Sequence, residues 1–218
     1  MTPISFIETP FREKFGVPRQ SLLASDARGR MSFPKNDFYS EAFRGIETFS
    51  HLWLIFEFHL VPVEDIKALV RPPRFQGKEK FGVFATRSPH RPNRLGLSVV
   101  KFENFEVKDN EIVLTVSGVD LVNGTPIFDI KPYIPYADLV AAATAPHFNE
   151  APARSIVTWK TAIPPERKLI EEVISLDPRP GQDHSSTEIY GVSLAGLNIR
   201  FQKSGEDFVI LEVTMESP

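Results

Sequence analysis

The sequence predicts a mainly β protein, consisting of a small antiparallel β-barrel with Pro/Gly-rich loops and a small C-terminal α+β domain. Three observations lead to this prediction. Short segments with alternating apolar residues recur through roughly the first 160 residues, no series of helices alternates with them, and one strongly amphipathic segment follows. The lack of alternating helices disfavours a parallel doubly wound sheet, and an antiparallel barrel or sandwich fits better.

The clearest strand is predicted at Ser50–Leu60, where every second residue is apolar. The residues that share its apolar face are Leu52, Leu54, Phe56, Phe58 and Leu60. Other strands are predicted at ISFIET near the start, FGVFA, SVVKFENFEV, NEIVLTVSGVDL and ARSIVTWK. The turn residues KDN separate two of these segments, and Pro-rich loops join the rest.

The composition changes after ARSIVTWK, which places the predicted domain boundary between residues 160 and 161. The predicted domains are therefore 1–160, the barrel, and 161–218, the α+β domain. Pro164–Asp177 is the clearest helix, because its prolines stand at the start and its apolar residues share one side. Two strands, IYGVSLAGLNIRF and DFVILEV, are predicted after it, joined by the turn residues KSGE.

Composition excludes several classes of protein. The 218 residues are 42% hydrophobic and 24% charged, as in an ordinary globular protein, and they include no cysteine. The first residues lack the pattern of a signal peptide, and the most apolar run, LWLIF, is too short to cross a membrane. We therefore expect a cytoplasmic protein without a membrane segment. The five histidines lack metal-ligand spacing, so no metal site is expected.

Most standard catalytic motifs are also missing. The sequence contains no phosphate-binding GxxxxGK[ST], no GxSxG nucleophile motif and no HExxH zinc motif. It also lacks GxGxxG, which disfavours a Rossmann-type methyltransferase or dehydrogenase.

Basic residues concentrate in one segment of an otherwise acidic chain. Between Arg71 and Lys101, eight basic residues stand against the single acidic residue Glu79, which gives +7. Because the whole chain carries −3, the remainder carries −10. A local basic field suits a polyanionic partner or bound phosphates, although a charged run is also compatible with plain solvated surface.

Three loops combine Pro, Gly and functional polar groups. They are Phe11–Gln20, Arg71–Ser98 and Asp120–Asp138. Such composition is typical of binding loops on a β scaffold, whereas turns alone would need fewer specific residues than RPNR and DIKPYIPY contain.

Six ordered motifs in and around these loops resemble the TrmO family, also called TsaA-like or YaeB-like. The motifs are PFREKFGVPRQ, FSHLWLIFEFH, RPPR, GVFATRSPHRPNRLGLS, LVNGTPIFDIKPYIPY and DPRP, and the resemblance covers nearly the whole chain. It implies a small β-barrel methyltransferase, usually a homodimer, with a short C-terminal domain. The implied activity is the S-adenosylmethionine-dependent methylation of N6 of threonylcarbamoyladenosine at position 37 of tRNA. At His90, Arg94 and Asn123 the chain departs from the usual motifs.

The resemblance implies a set of cofactor-binding residues. These are Pro18, Arg19, Gln20, His59, Leu60, Arg87, Leu97, Gly124, Thr125, Pro126 and Ile127. Their chemistry suits S-adenosylmethionine, since Arg19 or Arg87 can pair with its carboxylate and Leu97 can pack on its adenine. Backbone groups of the turn at 124–127 can read the adenine edge. His59 has an alternative interpretation as a core histidine with its hydrogen bonds satisfied.

Methyl transfer from sulfonium to nitrogen needs no enzyme nucleophile, which suits a chain without cysteine. The target nitrogen is urea-like, so a base can help to remove its proton. The catalytic candidates are Asp129, Lys131, Tyr133 and Tyr136, although the first two can simply brace their loop and the tyrosines can stack on a base. The candidates for tRNA phosphate contact are Arg71, Arg74, Arg91, Arg94 and Arg179.

Two other functions stay open from the sequence. One is an S-adenosylmethionine-binding module, or a methyltransferase acting on another RNA or on a small molecule, which the modest overall charge and the departures at His90 and Arg94 favour. The other is a protein-interaction barrel without a ligand, which leaves RPNRLGLS and DIKPYIPY unexplained.

Overall fold

The computed structural model describes residues 1–72, 79–145, 148, 150–179 and 188–216. The strands are β1 (Ser5–Glu8), β2 (Arg28–Pro34), β3 (His51–Glu57), β4 (Leu69–Val70), β5 (Phe81–Gly82), β6 (Leu95–Lys108), β7 (Glu111–Ser117), β8 (Thr125–Pro132), β9 (Val157–Trp159), β10 (Ile189–Leu194), β11 (Leu197–Ser204) and β12 (Asp207–Met215). The α-helices are α1 (Asp37–Ala42), α2 (Pro135–Asp138) and α3 (Arg167–Ser175).

A closed antiparallel barrel forms the first part of the chain, as predicted. Its strand order is β1-β2-β7-β6-β3-β8, and β8 pairs with β1 to complete the circle. The alternation predicted around β3 is confirmed for Leu52, Leu54 and Phe56, which are buried in the barrel interior. Phe58 and Leu60 lie beyond the end of this strand, and Leu60 is exposed.

Two barrel strands were not predicted from the sequence. Arg28–Pro34 begins with a polar Arg-Gly-Arg run that hides the alternation, although Met31 and Phe33 point into the core. Thr125–Pro132 lies within the predicted loop Asp120–Asp138, because its prolines and charges are also typical of loops. It forms β8 because its inward residues pack in the barrel while Asp129 and Lys131 face outward. The predicted strand FGVFA is limited to Phe81–Gly82, and a 3-10 turn follows it.

The C-terminal part is a small sheet of order β10-β11-β12-β9 with α3 against it. The predicted apolar face of the helix is confirmed, since Leu169, Ile170, Val173 and Ile174 are buried. A tight turn at Ala195-Gly196, where both residues have positive φ, divides the long strand predicted at IYGVSLAGLNIRF into β10 and β11.

The strand predicted at ARSIVTWK is shorter than expected and belongs to the C-terminal sheet. Val157–Trp159 runs parallel to β12, and Val157 lies opposite Phe208. Because β9 completes that sheet rather than the barrel, we propose a domain boundary before this strand instead of between residues 160 and 161.

The C-terminal part packs directly on the barrel. The Glu172 carboxylate of α3 accepts hydrogen bonds from the Ser25 hydroxyl (2.6 Å) and the Asp26 N–H (2.9 Å). Phe11 forms an isolated bridge with Leu194 at the end of β10. Buried apolar residues of both parts belong to one continuous core. The C-terminal part is therefore fastened to the connection between β1 and β2.

Candidate active site

All three predicted binding loops begin at one end of the barrel. Because neighbouring strands are antiparallel, the last residues of β1, β3 and β7 lie beside the first residues of β2, β6 and β8. The connections 9–27, 58–94 and 118–124 therefore leave the barrel at this end, which we call the loop end. Residues more than 100 positions apart in the sequence meet there.

Hydrogen bonds hold the three connections together at the loop end. The Asn123 N–H donates to the Phe11 carbonyl (2.7 Å), and the Lys14 ammonium donates to the Leu60 carbonyl (3.1 Å). The Arg87 guanidinium donates to the side-chain oxygen of Gln20. Residues predicted to bind the cofactor thus contact each other across different loops.

Arg87 and Leu97 are two of the exposed residues of this set, which also include Arg19, Leu60 and Gly124. The Arg87 side chain is exposed, and Leu97 is 53% exposed on the outer face of β6, opposite Ile55. Next to it, a Cβ added at Gly96 would lie only 2.3 Å from the ring of Phe56, so the start of β6 accommodates this ring because residue 96 lacks a side chain.

The Arg19 side chain contacts the C-terminal part of the molecule, unlike that of Arg87. Its guanidinium donates to the carbonyls of Asp177 (3.4 Å) and Arg179 (3.5 Å), just after α3. A cavity of about 220 Å³ lies between this loop and the end of the helix. Pro18 beside Arg19 is buried. Arg19 thus contacts the C-terminal part, whereas Arg87 contacts Gln20 at the loop end.

The turn before β8 is built from backbone interactions. Gly124 has φ 78°, a left-handed conformation that favours glycine, and its N–H donates to the Ile7 carbonyl (2.8 Å). The Thr125 hydroxyl donates to the Val122 carbonyl (2.6 Å). Ile127 is fully buried in the barrel, and Pro126 lies opposite Phe6 of β1. The N–H of Gly124 is thus already used in the fold.

His59 lies just beyond β3 and is partly buried. Burial is the main cause that lowers the pKa of its imidazole, and the neighbouring Glu57 raises it by less. The imidazole is therefore neutral at neutral pH, and it suits hydrogen bonding better than charge pairing.

Asp120 is a functional candidate that the sequence did not single out. Burial raises the pKa of its carboxyl to about 6, against weaker lowering by Ser98, Arg87 and backbone groups. Its Oδ1 atom is enclosed and has no hydrogen-bond partner. Asp120 is the first residue of the predicted binding loop Asp120–Asp138, and an acidic residue at this place, close after an apolar strand, is the sequence signal that could have indicated it.

The catalytic candidates lie along β8 and after it. Asp129 and Lys131 form an ion pair (3.0 Å) on the outer face of the barrel. Asp129 lies opposite Ile55, whose other neighbour is Leu97, so these three side chains form one row across the strands. Asp129 is thus the catalytic candidate closest to the cofactor candidates.

The two tyrosine candidates lie farther from the loop end. From Ile127 to the end of β8 at Pro132 the strand rises about 16 Å, and both tyrosines follow it. Tyr133 packs against the rings of His51 and Trp53, whereas Tyr136 is 90% exposed. Within one chain, the tyrosines are therefore separated from the cofactor candidates.

The arginines predicted to contact tRNA have different environments. Arg71 is exposed, and Arg74 lies outside the described residues. The guanidinium of Arg91 donates to the carbonyls of Thr86 (3.1 Å) and Ser88 (3.2 Å), which braces its own loop.

Arg94 also has partners inside the fold. Its guanidinium pairs with Glu57 and donates to the Val61 carbonyl (2.8 Å), and its backbone has φ 51°. The ion pair offsets part of the positive charge counted for this segment, so the basic field is weaker than the sequence alone indicates.

Arg179 is buried, which contradicts its predicted position on the tRNA surface. Only 5% of its side chain is exposed, and it pairs with Asp177 (2.8 Å) while lying over the rings of Tyr190 and Phe208. A guanidinium in this environment stabilises the C-terminal part and does not face a phosphate.

No group of three or more His, Cys, Asp or Glu residues in the described part of the chain could hold a metal ion. No helix there is both long and apolar enough to cross a membrane.

Comparison with known proteins confirms the resemblance seen in the sequence. The family model for the tRNA-methyltransferase O N-terminal domain matches residues 6–139, and the model for the TrmO C-terminal domain matches residues 142–216. An Escherichia coli protein named tRNA (adenine(37)-N6)-methyltransferase is 35% identical over 221 residues, covering 95% of this chain and 94% of that protein.

Two further comparisons come from Pseudomonas aeruginosa. RcsF, whose name describes an S-adenosylmethionine-dependent methyltransferase, is 40% identical over 227 residues and covers 98% of this chain and 96% of its own. A crystal structure of TrmO from the same organism superposes with a TM-score of 0.79 at 36% identity, covering 98% of this chain and 96% of that one. Fold and sequence thus agree over both parts of the molecule.

Proposed function

The chain belongs to the tRNA-methyltransferase O family, and from this membership we infer that it is an S-adenosylmethionine-dependent tRNA (adenine-N6) methyltransferase. The substrate is tRNA carrying threonylcarbamoyladenosine at position 37, and the methylated atom is N6. The observation that carries this function is the meeting of three connections at the loop end, where Arg87 contacts Gln20.

The described residues fit S-adenosylmethionine at the loop end. The exposed guanidinium of Arg87 suits the cofactor carboxylate, because a bidentate charged pair is among the strongest hydrogen-bonded contacts. Leu97 offers exposed apolar surface to the adenine, and the neutral His59 offers a hydrogen bond. When bound, the cofactor supplies an electrophilic methyl group on its sulfonium.

The residues of the chain bind the cofactor, orient the target nitrogen and assist its loss of a proton. Among the catalytic candidates, we assign the removal of this proton to Asp129. Its side chain lies in the same row across the strands as those of Ile55 and Leu97. Lys131 holds its carboxylate through the ion pair. Tyr133 and Tyr136 are proposed to stack on bases of the tRNA rather than to act on the target nitrogen.

The tRNA surface is proposed to surround the loop end. Arg71 supports this location because it is exposed in the connection from β3 to β6. Arg91 and Arg94 each donate two hydrogen bonds to other groups of the fold, so a phosphate contact that reorients either side chain would break existing hydrogen bonds. These assignments are tested by the salt dependence of tRNA binding.

We further propose that the protein is a homodimer in the cytoplasm, where its tRNA substrate is found. Phe84, in the connection from β3 to β6, is an apolar side chain that is 78% exposed, which supports coverage of this connection by a second copy. Light scattering on the purified protein measures the mass directly, and a monomer at micromolar concentration would contradict the dimer.

The direct test is methylation of defined tRNAs in vitro. Purified protein is incubated with S-adenosylmethionine and tRNA with or without threonylcarbamoyladenosine, and the nucleosides are analysed by mass spectrometry. We expect a gain of one methyl group on threonylcarbamoyladenosine alone. Cofactor binding with methylation of a different nucleoside or a small molecule would favour the alternative substrates, and cofactor binding without any transfer would favour a binding module.

A further inference from the structure

Asp120 lies in the connection from β7 to β8, which is tightly packed at the loop end. Its neighbours Val119 and Leu121 are buried, and the Leu121 carbonyl accepts a hydrogen bond from the Thr9 hydroxyl (2.8 Å). The N–H of Leu22 donates to the carbonyl of Gly118 (2.8 Å). The connection is therefore fixed on both sides of Asp120, which is itself partly exposed.

The carboxylate of Asp120 stands where the three loops converge. Ser98 on β6 and the backbone of Ser21 act on it as hydrogen-bonding groups, and Arg87 acts on it as a charge. Arg87 is itself proposed to bind the cofactor, and Ser21 follows Gln20, another cofactor candidate. Ser98 is buried opposite the interior residue Leu54, so its side chain faces the other side of β6 from that of Leu97. Asp120 thus lies near Arg87, at the inner edge of the proposed cofactor site.

This carboxylate lacks the cationic partner that a buried anion normally has. No ion pair of Asp120 occurs among the described residues, and its Oδ1 atom has no hydrogen-bond partner. The nearby cation, Arg87, donates instead to Gln20. A buried carboxylate without a paired cation is costly, so the arrangement suits a cation that arrives with a ligand.

S-adenosylmethionine brings such a cation at its amino-acid end. Its α-ammonium group carries three N–H donors, and it is attached to the same carbon as the carboxylate. We propose that Asp120 accepts hydrogen bonds from the α-ammonium group of the bound cofactor while Arg87 pairs with the adjacent carboxylate. This inference rests on the proposed function, and it adds an acidic residue to the basic and apolar residues already assigned to cofactor binding.

The test compares ligands that carry or lack the ammonium group. Asp120→Asn keeps the size of the side chain but removes its charge. We expect the variant to bind S-adenosylmethionine and S-adenosylhomocysteine roughly tenfold to a hundredfold more weakly in calorimetric titration at pH 7.5. Its affinity for 5′-methylthioadenosine, which lacks both the ammonium and the carboxylate, should change less than about twofold. Asp109→Asn, in the exposed turn at the opposite end of the barrel, is the matched control.

A measurement on the unchanged protein makes the test independent of how the variant folds. Near pH 6 the free carboxyl of Asp120 is partly protonated. Pairing with an ammonium keeps the carboxyl ionised, so binding of S-adenosylmethionine should release a proton. Calorimetry detects this release because the binding heat then depends on the ionisation enthalpy of the buffer. Binding of 5′-methylthioadenosine should release less.

Each other outcome overturns the inference. An equal loss of affinity for all three ligands would mean that Asp120 shapes the pocket instead of binding the ammonium. Unchanged affinity in the variant, or equal proton release with both kinds of ligand, would remove Asp120 from the ammonium contact while leaving the proposed function intact. Failure of the unchanged protein to bind S-adenosylmethionine at all would instead overturn the proposed function.

Discussion

Replacing Asp120 by Asn should stabilise the ligand-free protein at neutral pH. Burial raises the pKa of this carboxyl from 3.8 to about 6, so in the folded state the proton is held more tightly than in the unfolded state. Linkage then requires stability to fall as pH rises from the unfolded pKa to the folded one. The penalty is absent below 3.8 and complete above about 6.

The size of the effect follows from the two pKa values. Each unit of difference between the folded and unfolded pKa corresponds to about 1.4 kcal/mol. The carboxyl has a pKa of about 6 in the folded state and 3.8 in the unfolded state, so its ionisation destabilises the folded state by about 3 kcal/mol. Roughly half of this, about 1.4 kcal/mol, develops between pH 5 and pH 8. Asn carries no charge, so the variant lacks this contribution. The figures are upper bounds, because Asn must also satisfy the contacts made by Ser98.

Urea unfolding at a series of pH values measures the effect. The difference in unfolding free energy between Asp120→Asn and the unchanged protein should grow by about 1.4 kcal/mol from pH 5 to pH 8, with similar m-values. Other titrating groups cancel in this difference. A difference that stays constant across this range would refute the buried, ionised carboxylate and the reasoning built on it.

Three other predictions test the loop end. Arg87→Ala should weaken S-adenosylmethionine binding by about 1.5–3 kcal/mol in calorimetric titration, and an unchanged affinity would remove this residue from the cofactor carboxylate. Gly96→Ala should destabilise the barrel by about 1–3 kcal/mol, because the new Cβ meets the Phe56 ring, whereas Gly82→Ala in open space should be tolerated. Thermal unfolding compares the two, and equal melting temperatures would contradict the packing argument. Arg71→Ala should reduce the slope of log K for tRNA against log salt by about 0.9, and an unaltered slope would exclude a phosphate contact.

The sequence by itself determined the type of fold and the family. Alternating apolar residues record which face of a strand is buried, so the strand around Leu54 and the helix around Ile170 could be recognised locally. The six ordered motifs identified the family, because they depend only on residue identity and order. The strand β8 was missed because its outward face carries Asp129 and Lys131, and charged residues and prolines also occur in loops.

Only the tertiary structure decided which residues act together. Alternation does not specify strand order, and it is the closure of the barrel that brings Gln20, Arg87 and Asp120 to the same end. The environments of Arg179 and Asp120 likewise depend on distances between segments far apart in the chain. Burial gives Arg179 a structural role, and it raises the pKa of Asp120, because the free energy of a charge depends on the solvent and the partners that folding leaves around it.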